Sequence, residues 1–205
     1  MIKISVDQND FNRIIQSMKN IEKSEESVLK TALNNTAKKA QKLLTQRAEE
    51  VYSGAAPQGI LGRSEIRKAT VSKVSIQLLF KSEQPGIEAH TVSLTVPVRT
   101  TYSGGKRVKF PILASQLRGA GLKPLSGEKG LAFWVKFKNG KQAIVSRRKG
   151  QRKKTAGKDV LKRIMGSSDM VMVRNEKVYG VEEENIANVL HEQIDKVLMK
   201  VMGGQ

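Results

Sequence analysis

Apolar residues recur at helical spacing at both ends of the 205-residue chain and lose that spacing in between. The pattern restricts the fold to helices combined with a separate run of strands. Near the start, Phe11, Ile14, Ile15, Met18 and Ile21 are spaced by three and four, behind an Asp7 or Asp10 suited to cap a helix. Ser24 offers a second cap, and Glu25 and Glu26 favour the positive end of the next helix dipole. Val28, Ala32, Leu33, Thr36, Ala40, Leu43, Leu44, Arg47 and Val51 then form one stripe, predicting a long helix over 25–52. The stripe is rich in alanine, which permits close approach to a sheet or to another copy. At the far end, Ile186, Val189, Leu190, Ile194, Val197, Leu198 and Val201 share a face behind Glu182, Glu183 and Glu184, predicting a terminal helix.

The intervening segments read differently. Three glycines and a proline in Ser53–Gly62 end the long helix in a turn or loop. Val71–Phe80 and Glu88–Arg99 are rich in Val, Thr, Ile and Leu, and Ser82–Gly86 between them predicts a hairpin turn joining two antiparallel strands. Tyr102–Lys106 breaks the pattern, and Val108–Leu113 is apolar around a proline. Asn139-Gly140, set between Leu131–Lys138 and Lys141–Ser146, is a strong hairpin signal. Met170–Val173 suggests a last short strand. No internal repeat is present. The expectation is an α+β fold with helices at both ends packed on an antiparallel sheet or small sandwich. It forms a single domain over 1–205, with a helical part at 1–52, a strand-rich core at 63–175 and the last helix at 181–205.

Composition decides which chemistries remain. With no cysteine, disulfides, thiolate metal sites and cysteine nucleophiles drop out. Aromatic residues make up only 4%, so the core must come from aliphatic side chains. Met1–Asp10 alternates polar and apolar residues instead of forming a signal-peptide stretch, and no run approaches a membrane span. The two histidines, His90 and His191, have no metal-ligand spacing and no nucleophile partner. The glutamates at 182–184 point in different directions around a helix, and the dipole already explains them. Gly104-Gly105 lacks the context of a phosphate loop, and the runs Ser126-Gly127-Glu128 and Ser167-Ser168-Asp169 suit caps or loops. No catalytic residue, metal site or cofactor site is expected.

The net charge of +18 favours phosphate backbones or acidic protein surfaces as partners. Its distribution is uneven. Lys136–Arg163 holds twelve Lys and Arg against one acid, Asp159, a net of +11 that leaves +7 for the rest of the chain. Arg147, Arg148, Lys149, Arg152, Lys153 and Lys154 place six cations in eight residues, a density that repels itself unless anions are near. These six are the candidate contact residues, carried on an exposed basic loop over 147–163. Phe133, Trp134 and Phe137 lie nearby, but their positions on a strand fit packing better than base stacking.

The layout resembles the phage minor tail protein Z family. The residues that carry the resemblance are Leu33, Asn34, Thr36, Ala37 and Arg47 in "ALNNTAKKAQKLLTQRAEEV", with Ile66, Arg67 and Lys68 in "SEIRKATVSK", followed by a strand-rich middle, a hairpin with a basic tip and a terminal helix. The resemblance implies a tail-completion or neck component of a long-tailed phage or prophage. Such a subunit forms a homo-oligomeric ring, six copies to match tail symmetry, between the tail tube end with its terminator and the head connector. It implies no enzymatic activity and places the protein in the virion, assembled in the host cytoplasm. The basic stretch is longer and denser than the family pattern, and its partner is either passing genomic DNA or an adjacent ring. The competing reading is a free-standing, sequence-nonspecific nucleic-acid-binding protein that uses 136–163.

Overall fold

The computed structural model describes residues 1–18, 25–93, 102–103, 106–107, 111–127, 130–152 and 159–203. The fold is α+β, with antiparallel sheets, a long helix near the N-terminus and another at the C-terminus. The chain groups into two compact units, one built from Met1–Glu49, Gly59–Ser82 and Asp169–Gln205, the other from Glu50–Gln58 and Glu83–Ser168.

The first unit holds most of the helix. Strand β1 (Ile2–Ser5) leads into α1 (Gln8–Ser17), whose N-cap Asp7 accepts a hydrogen bond from the Asp10 amide at 2.7 Å. The alternation at the N-terminus is therefore that of a strand, with Ile2 and Ile4 buried and Lys3 and Ser5 exposed. Helix α2 (Glu25–Val51) covers the predicted span within a residue. Its cap Ser24, and Ile21 before it, lie outside the described residues. The buried face of α2 is Val28, Leu29, Ala32, Leu33, Thr36, Ala37, Ala40, Leu44, Thr45 and Ala48. The Thr36 hydroxyl survives burial by donating to the Ala32 carbonyl at 2.9 Å. A short helix α3 (Ile60–Arg63), strand β2 (Glu65–Arg67) and strand β3 (Ser75–Leu79) follow, and β3 lies between β1 and β2 in an antiparallel sheet. Register pairs Ile4 with Ile76 and Ile2 with Leu78, so apolar side chains line one face.

Two sequence expectations change here. The segment around 71–80 does form a strand, but its partners are β1 and β2 instead of the segment that begins at Glu88. A hairpin across 82–86 would need two long strands in register, whereas Ile87–Ala89 is a single 3-10 turn, and residues 94–101 lie outside the described part. Met170–Val173 is helical, within α4 (Asp169–Arg174). An acidic first turn and a basic last turn favour the helix over the β-branched pattern of so short a segment. A five-residue π-helical turn, Glu176–Gly180, then joins α4 to α5 (Val181–Met202). Helix α5 buries Ile186, Leu190, Gln193, Ile194 and Leu198 and starts with the three expected glutamates.

The second unit is strand-rich. Its short strands are β4 (Thr91–Val92), β5 (Tyr102–Ser103), β6 (Lys106–Arg107), β7 (Leu113–Ser115), β8 (Lys123–Pro124), β9 (Ser126–Gly127) and β10 (Gly130–Leu131). They pair as a three-stranded sheet β4-β7-β8 and as the two-stranded pairs β5-β6 and β9-β10, all antiparallel. The third sheet is β11 (Phe133–Lys136), β12 (Gln142–Arg152) and β13 (Asp159–Arg163), in that order. Ile87, Ile112, Ala114, Ala132 and Ile144 form the core of this unit, with Val92, Leu125, Trp134 and Ile164 packed against it. The Ser53–Gln58 loop is fastened into the unit: the Ser53 hydroxyl donates to the Ser115 carbonyl at 2.6 Å and its amide to the Gln116 carbonyl at 2.8 Å.

Candidate interaction surface

The basic stretch lies on β12 and β13. Apolar residues start it: Ala143, Ile144 and Val145 are buried and draw the chain into the sheet between β11 and β13. The hairpin expected at Asn139-Gly140 is present. The Phe137 amide donates to the Lys141 carbonyl at 2.8 Å, and Gly140 takes a φ of 77°, the left-handed turn position that a side chain resists. The Asn139 side chain accepts from the Lys141 amide at 3.1 Å and completes the turn.

The sequence expectation of a basic loop over 147–163 is corrected for most of that span. Arg147–Arg152 continues β12 and Asp159–Arg163 forms β13. The loop reading weighed charge and the embedded Gly150 and Gly157, but pairing through Leu161, Lys162 and Arg163 restores the ladder that the charges alone would not favour. Of the six candidate contact residues, Arg147 and Arg148 are half-buried on β12, Lys149 and Arg152 have their backbone in β12, and Lys153 and Lys154 lie outside the described residues. Register pairs Val145 with Arg163, Ser146 with Lys162, Arg147 with Leu161 and Arg152 with Asp159. From Arg147 to Arg152 the chain advances five residues, while from Leu161 to Asp159 it advances two, so β12 bulges within the charged run.

Three neighbours set the electrostatics. The Arg147 guanidinium sits 4.6 Å from the centre of the Phe133 ring, a cation–π contact worth about 0.5–1 kcal/mol at an exposed site. Arg163 donates from Nε to Glu88 Oε1 at 2.9 Å, and its terminal amine contacts the same oxygen, so this cation is matched within its own unit. The other Glu88 oxygen is buried without a partner among the described residues. One turn further, His90 is buried and neither ring nitrogen has a hydrogen-bond partner among the described residues. The ring lies against the backbone of Gly166, where a Cβ would come within 2.4 Å of Nε2. Burial pushes the His90 pKa down, opposed only in part by the nearby Ser53 backbone.

Away from this sheet, the first unit has its own polar joints. Asn34 Nδ2 donates to the Ala69 carbonyl at 3.2 Å, and the Ala69 amide donates back to Asn34 Oδ1 at 2.9 Å. Arg63 binds Asp169 through two parallel hydrogen bonds of 2.9 Å. His191 meets the buried Asp10 at 3.0 Å, Arg13 meets Asp195, and Glu192 contacts Lys39 and Lys196, a set of ion pairs that joins α5 to α1 and α2. Sequence reasoning missed Asn34–Ala69, Arg63–Asp169 and Arg163–Glu88, because each pair is separated by more than thirty residues and no local period records it. Among the described residues no group of three or more His, Asp or Glu is placed to hold a metal, and no helix is long and apolar enough to cross a membrane. Comparison with protein-family models, with curated proteins and with solved structures gave no match.

Proposed function

We propose that this chain is a structural subunit of a tailed phage or prophage virion. It serves as a tail-completion or neck protein that assembles, six copies to a ring, between the end of the tail tube and the head connector. The observation that carries the reading is the Asn34–Ala69 joint. The two segments that resemble the tail protein Z family, one on α2 and one around β2, are bound to each other through the asparagine side chain of the first and the backbone just beyond the Ile66-Arg67-Lys68 triplet of the second. The quoted residues therefore belong to one structural element, an alanine-faced helix holding the β2 segment.

Two further features support a subunit role. Helix α5 exposes Met199 and Met202 at 72% and 54% near its C-terminus, apolar surface that neighbouring copies could cover. Six cations of the basic stretch, Arg147, Arg148, Lys149, Arg152, Lys162 and Arg163, lie on a defined pair of strands, which suits a fixed contact in an assembly. The role is mechanical, and the protein works in the virion after assembly in the host cytoplasm. Co-expression with tail-tube and connector proteins of the same phage, followed by native mass spectrometry, tests it. A ring bound to either partner is the expected result; a chain that stays monomeric alone and with both partners contradicts the proposal.

A further inference from the structure

Helix α5 is tied to its own chain along its middle, whereas both of its ends carry bare apolar side chains. His191 meets Asp10, Asp195 meets Arg13 and Glu192 meets Lys39, so these side chains of the middle turns are taken up by α1 and α2. One turn beyond Asp195 stands Met199, the most exposed large apolar side chain among the described residues, followed by the exposed Met202. At the other end of the helix Val181 is 49% exposed. Val181 and Met199 are eighteen residues apart, five turns of 3.6 residues, so they lie on one line along the helix about 27 Å apart. Glu184 and Met202 share a second line by the same spacing.

Charge makes the two ends complementary. Glu184 lies one turn from Val181 and Lys200 directly follows Met199; both are exposed, and neither has an ion-pair partner among the described residues. Copies of a chain with a net charge of +18 repel one another at long range, so a stable contact between them needs opposite charges matched locally around an apolar centre. One end of α5 supplies methionines beside a lysine, the other a valine beside a glutamate. Methionine side chains adapt to an irregular apolar surface, which suits them to cover a small one. Because the two patches differ, a contact between them is heterologous, and a heterologous contact whose rotation closes generates a ring. We propose that the Met199–Met202 end of α5 in one copy docks on the Val181–Glu184 end of α5 in the next, with Lys200 against Glu184. The inference rests on the reading of the chain as a self-assembling subunit and names the surfaces through which its copies meet.

The test uses the full-length chain in sedimentation velocity at about 150 mM salt, where a Debye length of about 8 Å screens the long-range repulsion and spares contact pairs. The parent should self-associate. E184K and K200E should each weaken that association by roughly tenfold or more, because either reversal sets like charges together, and E184K/K200E should restore it to within about threefold. M199S/M202S should weaken it by roughly tenfold. V71S/K73E, which removes an exposed apolar group and reverses an exposed charge on the β2–β3 loop, should leave it unchanged. The absence of cysteine allows a second measurement that does not depend on the charge variants. A short bismaleimide should link V181C to M202C when the two proteins are mixed and give little product from either alone. A parent that stays monomeric, a double reversal that folds by circular dichroism without restoring association, an equal loss in V71S/K73E, or no product in the mixture would each overturn the inference. Protection of M202C by an added tail-tube or connector protein, with no product in the mixture, assigns the methionine end to that protein and overturns it too. Rings that form equally well from E184K and K200E overturn this inference alone, and a closed dimer carrying the mixed cross-link supports it while counting against the ring.

Discussion

The side chain of Asn34 satisfies both backbone groups of Ala69, donating to its carbonyl at 3.2 Å and accepting from its amide at 2.9 Å. An amide side chain matches a peptide unit in this way because each presents one donor beside one acceptor. Ala69 is buried at 2% exposure, so its backbone has little recourse to water. N34A should lower stability by about 1–3 kcal/mol, the cost of leaving buried backbone groups unpaired, and N34D, which keeps the acceptor and loses the donor, should cost less. Urea unfolding of the three proteins gives the comparison.

Arg63 and Asp169 make the other buried joint of the first unit, with the carboxylate side chain 6% exposed and the guanidinium 37%. The hydrogen bond to Asp169 raises the Arg63 pKa further above its ordinary value, burial opposing, so the guanidinium stays charged at any working pH. R63M strands the carboxylate in a buried site and should cost about 3 kcal/mol. The double variant R63M/D169L should recover much of that loss, because replacing both charges removes the desolvation problem. Thermal unfolding of the single and double variants measures the recovery.

His90 predicts how the second unit responds to acid. Its folded-state pKa lies below the ordinary histidine value of about 6.5, because burial disfavours the imidazolium. Above about pH 6.5 both folded and unfolded forms are neutral and this group exerts no pH dependence. As pH falls below that value the unfolded chain takes up the proton first, so stability declines until the pH passes the folded-state pKa. The slope contributed by one such group is at most about 1.4 kcal/mol per pH unit. H90Q should flatten the stability profile between about pH 5 and 7 relative to the parent, read from urea midpoints at each pH.

Gly140 holds the turn of the β11–β12 hairpin at a φ of 77°. G140V should cost about 1–2 kcal/mol by forcing a branched side chain into the left-handed region. The site is exposed, with nothing within 4 Å of an added Cβ, so the backbone alone carries the loss. Hydrogen exchange of the Val145 and Phe133 amides follows the strand pair directly.

The helical ends of the fold are legible in the sequence because helix period, caps and dipole charges are local. Helix α2 ends one residue from its expected limit, and α5 starts at its glutamates. Strand pairing is not local. Residues 71–80 read correctly as a strand, yet the partner β1 lies some seventy residues away and is only four residues long. The alternation of Ile2 and Ile4 was visible, but so short a pattern does not name a partner. At the basic stretch, composition located the charge, while the ladder under it depended on Leu161, Lys162 and Arg163 pairing back with Arg147, Ser146 and Val145. Gly150 and the like charges of β12 that suggested a loop fall within the register shift between Arg147 and Arg152.

The most direct test of the assembly role is electron microscopy of tails produced with and without this chain, together with native mass measurement of the chain bound to tail-tube and connector proteins. The account predicts a sixfold ring at the head-proximal end of the tail that disappears when the chain is omitted. Tails that are complete and joined to heads without it, together with a protein that remains monomeric beside both partners, would contradict the account.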